Sequence, residues 1–267
     1  MTTTKSVPKD FLLHNIESFS KSSLMQDIFY KVIQLSKSDS NVLLVGEIGS
    51  GKSRLAKVIH DNSSRADGPF NTFYCLNTDE NEYKDAFWGH LQYEDKQLVL
   101  KYDLLEETID GSLFLKQFSE LSPSFMLNMI ASYQKGCKHL FRVGSSQKRR
   151  PRLILSLNQE LYHDIIHRPV WDEILNKLNP VMIMLPPLRE HKEDIPLLIN
   201  YFLGEIRSNH GSQYSSLTMS SYARLACFNY DWPGNFLQFK NVILQGAILS
   251  GGKTIKLKHL PFSMSLD

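Results

Sequence analysis

Residues 46–53 constrain this chain more than any other stretch of its sequence. They read Gly-Glu-Ile-Gly-Ser-Gly-Lys-Ser, the phosphate-loop pattern known as Walker A. The apolar, β-branched run at residues 41–45 predicts a buried strand of a parallel sheet directly before the loop. Residues 53–60 have helical spacing directly after it. Because strand, glycine-rich turn and helix are the context that this motif needs, the sequence predicts a phosphate-binding site.

The residues of the loop have distinct expected roles. Gly46, Gly49 and Gly51 permit positive φ and close backbone approach, so that successive backbone N–H groups can point at phosphate oxygens. The next helix adds the positive end of its dipole, which favours a bound anion. Lys52 is expected to reach the β- and γ-phosphates, and the Ser53 hydroxyl to ligate Mg²⁺. With ATP or ADP as the ligand, the candidate nucleotide-binding residues are Gly46, Glu47, Ile48, Gly49, Ser50, Gly51, Lys52, Ser53, Arg54 and Asn158.

Composition indicates a globular protein of the cytoplasm. The chain has 267 residues, of which 42% are hydrophobic and 22% charged, so it can bury a sizeable core. Three cysteines without metal-ligand spacing predict neither a disulfide framework nor a zinc site. No apolar run approaches the roughly 20 residues of a membrane span, and the amino terminus lacks the apolar stretch of a secretion signal.

Alternating strand and helix patterns predict an α/β fold with a parallel sheet. Further buried strands are expected at residues 71–75, 112–115, 152–157 and 181–185. After residue 187 the pattern becomes helical, at residues 195–207, 220–229 and 237–249, with no strand expected. The predicted organisation is a lead-in (1–20), an α/β nucleotide-binding core (21–190), a helical lid (191–262) and a tail (263–267).

Two segments carry a resemblance to a known family. Residues 186–198 read Pro-Pro-Leu-Arg-Glu-His-Lys-Glu-Asp-Ile-Pro-Leu-Leu, and residues 232–235 read Trp-Pro-Gly-Asn. Both resemble segments of the AAA+ domain of bacterial sigma-54-dependent transcription activators, and shorter matches follow in family order from residue 59 to residue 144. The resemblance implies an AAA+ P-loop NTPase fold. It also implies relatives that form rings, hydrolyse ATP between subunits and remodel the sigma-54 polymerase.

The acidic residues that this family uses for hydrolysis are replaced. In the family, an Asp and a Glu follow the strand matching residues 111–115; the Asp orders Mg²⁺ through water and the Glu activates the attacking water. This chain has Lys116 and Gln117 there. The Asn that restrains the family's Glu is Tyr74 here. Glu120 is the nearest carboxylate and remains open as a displaced base.

The arginines that the family uses are replaced as well. Trp171 and Lys177 occupy the positions of its two arginine fingers, and Leu237 occupies that of its lid arginine. Arg168 lies just outside the register and remains open as a displaced finger. Asn158 keeps the position of a sensor residue. An arginine finger contributes on the order of 10³–10⁵ in rate, so these changes predict a pseudo-ATPase, with no catalytic residue in its usual place.

The loop with which the family touches sigma-54 is absent. Relatives carry Gly-Ala-Phe-Thr-Gly-Ala shortly after a Phe-Gly-His sequence, whereas this chain continues Leu-Gln-Tyr-Glu-Asp-Lys-Gln-Leu from residue 91. We therefore expect an ordinary solvated connection at residues 91–101 and no direct contact with sigma-54. The basic run at residues 147–152 is expected to be a solvated loop. No helix-turn-helix pattern is evident, so DNA binding is not expected.

Three functions remain open from the sequence. The first is a regulatory module that binds nucleotide without hydrolysis, with itself, an active AAA+ activator or another transcription component as partner. The second is an active ATPase that uses Glu120 and Arg168. The third is a receptor for a cyclic dinucleotide that controls transcription independently of sigma-54. The sequence names neither the physiological nucleotide nor the process that is regulated.

Overall fold

The computed structural model describes residues 20–75, 87, 90–94, 97–101, 104–135, 150–209 and 211–261. For residues 90–94, 97–101 and 135 it describes the backbone. The expectations for residues 1–19, 141–144, 147–149 and 263–267 lie outside the described residues, as does Cys137.

Nine strands and nine helices are formed by the described residues. The strands are β1 (Val42–Gly46), β2 (Phe70–Tyr74), β3 (His90–Glu94), β4 (Gln97–Lys101), β5 (Ser112–Lys116), β6 (Arg152–Asn158), β7 (Val181–Met184), β8 (Thr218–Met219) and β9 (Thr254–Ile255). The helices are α1 (Ser23–Ser36), α2 (Lys52–Asp61), α3 (Leu104–Glu107), α4 (Pro123–Lys135), α5 (Gln159–Ile165), α6 (Pro169–Leu178), α7 (Ile195–Asn209), α8 (Ser221–Asn229) and α9 (Asn235–Leu249).

A five-stranded parallel sheet confirms the predicted α/β fold. Its order is β2-β5-β6-β1-β7, so the strand before the phosphate loop lies between β6 and β7. The three inner strands are almost entirely buried, as their apolar sequences predict. The strands predicted at residues 71–75 and 181–185 are formed, but the prediction that they are buried is wrong. β2 and β7 are the edges of the sheet, with a strand neighbour on one side only, and most of their side chains are partly or fully exposed.

Contacts divide the chain into two units. The first comprises residues 31–46 and 52–184, and the second comprises residues 20–30, 47–51 and 185–261, each within the described ranges. In the first unit, α4 and α6 cover one face of the sheet, where Phe125, Met129, Trp171 and Ile174 are buried in one apolar cluster. On the opposite face α2 packs against the sheet, and His60 hydrogen bonds through Nδ1 to the Ser112 hydroxyl at 3.0 Å.

Within the connection expected at residues 91–101, the described residues 90–94 and 97–101 form two strands. β3 and β4 pair antiparallel, from His90 opposite Lys101 to Glu94 opposite Gln97. Residues 90–94 alternate polar and apolar, which is the period-2 signal of a strand, whereas residues 97–101 carry three consecutive apolar residues between two polar ones.

The second unit is a helical lid with its own apolar core. Helices α7, α8 and α9 bury Trp232, whose indole N–H donates to the Cys227 carbonyl at 2.8 Å. The expectation that no strand follows residue 187 is wrong in one detail, because the two-residue strands β8 and β9 pair in parallel. Cys75, in the first unit, and Cys227 are both free and buried. No helix in the described part of the chain has the length and apolar character that crossing a bilayer requires.

Arg152 departs from the prediction of a solvated basic loop. It begins β6 and is 1% exposed, and its guanidinium donates to the Ser40 carbonyl at 2.9 Å and to the Leu35 carbonyl at 2.8 Å. Burial lowers the pKa of Arg152 to about 10. This arginine is a structural residue of the first unit.

The buried carboxylate of Asp194, in the second unit, binds the residues that come just before α1. It accepts hydrogen bonds from the Ser20 hydroxyl at 2.6 Å and from the backbone N–H groups of Lys21 and Ser22 at 2.6 and 3.2 Å. His191 Nδ1 lies 3.1 Å from the same carboxylate. Burial acts to raise the pKa of Asp194, but these hydrogen bonds outweigh it and hold the pKa below its ordinary value of 3.8.

Replacing Asp194 with Asn is expected to cost about 2 kcal/mol of unfolding free energy at neutral pH, because the charged acceptor of several hydrogen bonds is lost. Since the folded-state pKa is depressed, the contribution of the carboxylate is complete above about pH 4 and is lost as the pH falls through the folded pKa. Urea denaturation of both proteins at several pH values should therefore show their difference shrinking towards acid. Asp231→Asn, at a fully exposed aspartate, is the control and should change stability little; an Asp194→Asn difference that grows below pH 4 would contradict the assignment.

Candidate functional site

The carboxyl ends of the parallel strands bring the predicted site residues of the first unit to one edge of the sheet. Gly46 pairs with Asn158 in the register of β1 and β6, and Tyr74 pairs with Lys116 in the register of β2 and β5. Ligands of open α/β sheets bind at this edge. The topology therefore brings together residues that are more than 100 positions apart in sequence.

The first unit holds both ends of the phosphate loop. Lys52 begins α2, and its ammonium donates to the Gly46 carbonyl at 2.6 Å. Gly46 does not use the positive φ that a glycine permits: it ends β1 in extended conformation, paired with Asn158. Ser53 and Arg54 follow in the first turn of α2 and are exposed. The first turn of this helix presents its amino end and one ammonium group at the loop.

The middle of the loop, residues 47–51, belongs to the second unit. Gly49 and Gly51 have φ of 78° and 98°, as predicted for these two positions. A Cβ at Gly49 would lie 2.2 Å from the Gly234 carbonyl oxygen, so no larger residue fits there without movement of the backbone. The Ser50 hydroxyl is buried and, within the described residues, has no hydrogen-bond partner. A buried unpaired hydroxyl in this loop is a polar group available to a ligand.

Two residues of the second unit hold Glu47 and Ile48 in place. The Arg189 guanidinium forms two hydrogen bonds with the Glu47 carboxylate, at 2.9 and 2.5 Å, and this interaction raises the pKa of Arg189 above its ordinary value. The Asn235 amide donates to the same carboxylate and to the Ile48 carbonyl, each at 3.0 Å. Its own oxygen accepts from the Leu188 N–H at 2.8 Å. We call these contacts the loop clamp.

The loop clamp was missed as part of the site, although its residues lie in the two segments that carry the family resemblance. Arg189 belongs to the Pro-Pro-Leu-Arg-Glu segment and Asn235 ends Trp-Pro-Gly-Asn. Asn235 is fully buried with φ of 52°, a left-handed conformation that Asn adopts more easily than most residues. The signal in the sequence was an Asn directly after a Gly at the start of a helix.

Lys116 and Tyr74, which the sequence analysis singles out, contact each other. The Lys116 ammonium donates to the Tyr74 hydroxyl at 2.7 Å and lies 4.2 Å from the centre of the Tyr74 ring. It also lies 5.7 Å from the centre of the Phe114 ring. An ammonium over aromatic faces is an attractive arrangement. The end of β5 therefore presents a cation that is held by its neighbours.

Gln117 and Glu120 follow Lys116 without forming a carboxylate site. Gln117 has φ of 54°, and its backbone N–H donates to the Ser156 hydroxyl at 3.2 Å. Glu120 is exposed and ends the short 3₁₀ turn that begins at Phe118. Within the described residues no group of three or more His, Cys, Asp or Glu side chains is arranged to hold a metal ion.

Trp171 and Lys177, at the positions where the resemblance expects arginines, have other contacts. Trp171 is 3% exposed and packs edge-on against Phe118, with ring centres 6.0 Å apart. Lys177 is exposed and forms an ion pair with Glu173 at 2.7 Å. Arg168 is exposed directly before α6. In the second unit, Leu237 is 56% exposed.

A polar cleft of about 730 Å³ lies at the opposite edge of the first unit's sheet. Asn41, Asp110, Arg150 and Asn179, which line it, each come just before a strand of that sheet. The Arg150 guanidinium lies 5.1 Å from the centre of the ring of Tyr133, whose pKa is raised by burial. The cleft is separate from the carboxyl edge that carries Lys116 and Asn158.

Substitutions of Asn235 test the loop clamp. Asn235→Ala removes three hydrogen bonds in a buried position and places Ala at positive φ, so a loss of about 3 kcal/mol of unfolding free energy is expected. Asn235→Gly removes the same hydrogen bonds but tolerates the backbone, and should cost about 1 kcal/mol less. Urea denaturation measures both. An Ala variant as stable as the unmodified protein would refute the clamp.

Comparison with known proteins extends over nearly the whole chain. Residues 18–184 match the family described as the sigma-54 interaction domain, and residues 189–266 match the AAA+ ATPase lid domain. The chain is 32% identical over 253 residues to the Nif-specific regulatory protein of Herbaspirillum seropedicae, covering 93% of this chain and 45% of that protein. It is 28% identical over 250 residues to the transcriptional regulatory protein ZraR of Salmonella typhimurium, covering 91% and 55%. The chain thus spans about half the length of these curated relatives.

Solved structures share the fold. NtrX from Brucella abortus in complex with ATP aligns with a TM-score of 0.73 at 23% identity, covering 93% of this chain and 58% of that one. The same protein in complex with ADP aligns with a TM-score of 0.73 at 22% identity, covering 95% and 59%. The sheet order, the phosphate loop and the lid agree with the family match of residues 18–184. That match makes the chain a member of the sigma-54 interaction domain family, an AAA+ domain related to regulators of transcription.

Proposed function

We propose that this protein is a regulatory module of transcription that binds ATP or ADP and does not hydrolyse it. The observation that carries the proposal is the Lys116 ammonium, held by Tyr74 at the end of β5, where the family resemblance expects the metal-ordering carboxylate. Nucleotide binding would then act by stabilising one conformation, one oligomer or one partner complex.

Retention of the binding residues supports the first half of the proposal. Lys52 stands at the amino end of α2, Gly49 and Gly51 have the left-handed backbone of a phosphate loop, and the Ser50 hydroxyl is buried and unpaired among the described residues. The related structures of NtrX contain ATP and ADP. We assign phosphate binding to residues 46–54, with Asn158 at the end of β6 as a further contact.

Loss of the hydrolytic residues supports the second half. A general base must be a carboxylate or a similar group in reach of water, and the Gln117 amide is not one. Trp171 cannot serve as an arginine finger, because it is a neutral side chain buried against Phe118. Lys177 is paired with Glu173, and an ammonium lacks the fork of a guanidinium. Hydrolysis by the family's route would need a different residue at each of these positions, and Trp171 would have to leave the apolar core.

The partners that we propose are a second copy of this chain, an active AAA+ activator or another transcription component. Ring assembly in the family motivates the first two. Direct contact with sigma-54 is not proposed, because the hairpin of β3 and β4 replaces the Gly-Ala-Phe-Thr-Gly-Ala loop that relatives use.

A phosphate-release assay tests the absence of hydrolysis. We expect the purified protein to release phosphate from ATP no faster than its Lys52→Ala variant, while calorimetry shows ATP binding that Lys52→Ala weakens by at least about tenfold, since a charged hydrogen bond to phosphate is lost. Lys57→Ala removes a charge from the same helix and should bind normally. Turnover that disappears in Lys52→Ala would establish an active ATPase, and Glu120→Gln and Arg168→Ala would then identify its displaced residues.

The cleft favours one second candidate, a receptor for a cyclic dinucleotide. Its volume of about 730 Å³ suits a dinucleotide, and Arg65, Arg150 and Tyr133 supply cations and an aromatic ring. Arg65 already contacts Asp39 at 2.8 Å, so Arg150 is the more accessible cation.

Calorimetry against ATP, ADP, GTP and cyclic dinucleotides separates the two candidates. The main proposal predicts ATP or ADP binding that needs Lys52 and is indifferent to Arg150→Ala. Binding of a cyclic dinucleotide that Arg150→Ala abolishes and Lys52→Ala leaves intact would support the second candidate instead. Thermal unfolding of each variant checks that the fold is retained.

A further inference from the structure

We infer that Lys116 substitutes for the divalent cation, so that this protein binds a nucleoside triphosphate without Mg²⁺. The inference rests on the proposed nucleotide binding and identifies the positive charge that accompanies the bound triphosphate. It concerns the end of β5, where the resemblance expects a carboxylate that orders Mg²⁺ and the chain has an ammonium.

The residues at the carboxyl edge do not fit Mg²⁺. This ion takes hard oxygen ligands in octahedral geometry, usually with one or two carboxylates. The Ser53 hydroxyl supplies one such oxygen, but the residue after β5 is the amide Gln117, and Asp110, which precedes β5, lies at the opposite edge of the sheet. Among the described residues no cluster of carboxylates, histidines or cysteines could hold an ion. An ammonium at the position of a metal-ordering carboxylate would repel the ion.

The packing of α2 on the sheet places Lys116 near the phosphate-binding end of that helix. Lys52 at the start of α2 contacts Gly46 at the end of β1, and His60 near the end of α2 contacts Ser112 at the start of β5. Since β1 and β5 are both parallel to β6, helix and strand run in opposite directions. Lys116 lies on the same face of β5 as Ser112, because side chains alternate, and about 13 Å further along the strand. Ser53 lies about 11 Å from His60 along the helix. Lys116 is therefore level with the first turn of α2.

Neighbouring aromatic residues hold the Lys116 side chain at this level. The ammonium donates to the Tyr74 hydroxyl at 2.7 Å and lies over the rings of Tyr74 and Phe114 at 4.2 and 5.7 Å. Within the part of the chain that the structure describes, no carboxylate forms an ion pair with it. Its charge is thus available to a phosphate. With Lys52 it provides two ammonium groups at one edge of the sheet.

Calorimetric titration with ATP, in Mg²⁺ and in EDTA, tests the inference. We expect the two dissociation constants to agree within about threefold. Lys116→Met keeps the aliphatic stem over the aromatic rings and removes the charge, so it should weaken ATP binding by about tenfold in both buffers. Lys57→Met is the matched control: Lys57 also lies over an aromatic ring, Phe70 at 5.1 Å, but nearer the far end of α2, and its loss should leave both constants unchanged.

The outcomes are distinguishable. A fall of tenfold or more in the affinity of the unmodified protein when EDTA replaces Mg²⁺ would overturn the inference and leave the proposed function standing. Normal binding by a folded Lys116→Met variant would also overturn it. Absence of ATP binding in both buffers would overturn the proposed function and the inference with it. Lys116→Asp should supply the missing carboxylate, and ATP binding that has become dependent on Mg²⁺ in this variant would support the exchange of roles.

Discussion

The phosphate loop depends on the loop clamp. Glu47 carries a negative charge in the middle of a loop built for anions, and its two hydrogen bonds to Arg189 neutralise that charge locally. Asn235 fixes the Ile48 carbonyl at the same time, and the Gly234 carbonyl packs so closely on Gly49 that only glycine fits. The loop is thereby ordered by residues of its own unit, so less conformational entropy is lost when a ligand binds.

Three residues that we propose stand in place of hydrolytic ones have structural contacts. Lys116 and Tyr74 contact each other, and Trp171 fills part of the apolar core beside Phe118. Restoring one carboxylate at residue 117 would therefore leave the cation of Lys116 beside it and the core tryptophan in place of an arginine.

Apolar patterns predicted most of the fold because they report burial. They located the five sheet strands and the lid helices, but they could not say which strands are edges, since that depends on sheet order. They did not locate the paired strands β3 and β4, although residues 90–94 alternate polar and apolar. In the candidate site, the sequence predicted the phosphate loop and singled out Lys116 and Tyr74. It could not reveal that Tyr74 contacts Lys116, because that contact depends on the register of β2 and β5, two strands with 37 residues between them. In that register Tyr74 lies opposite Lys116 and Phe70 opposite Ser112, each pair being 42 positions apart in sequence.

We propose that this protein keeps the binding half of the nucleotide site and has lost the cleaving half. The most direct test is to incubate the protein with ATP, remove free nucleotide by gel filtration, and identify the bound nucleotide by chromatography over time. Our account predicts that intact ATP is recovered after prolonged incubation, with Lys52→Ala recovering almost none. Steady conversion of the bound ATP to ADP, absent in Lys52→Ala, would contradict it.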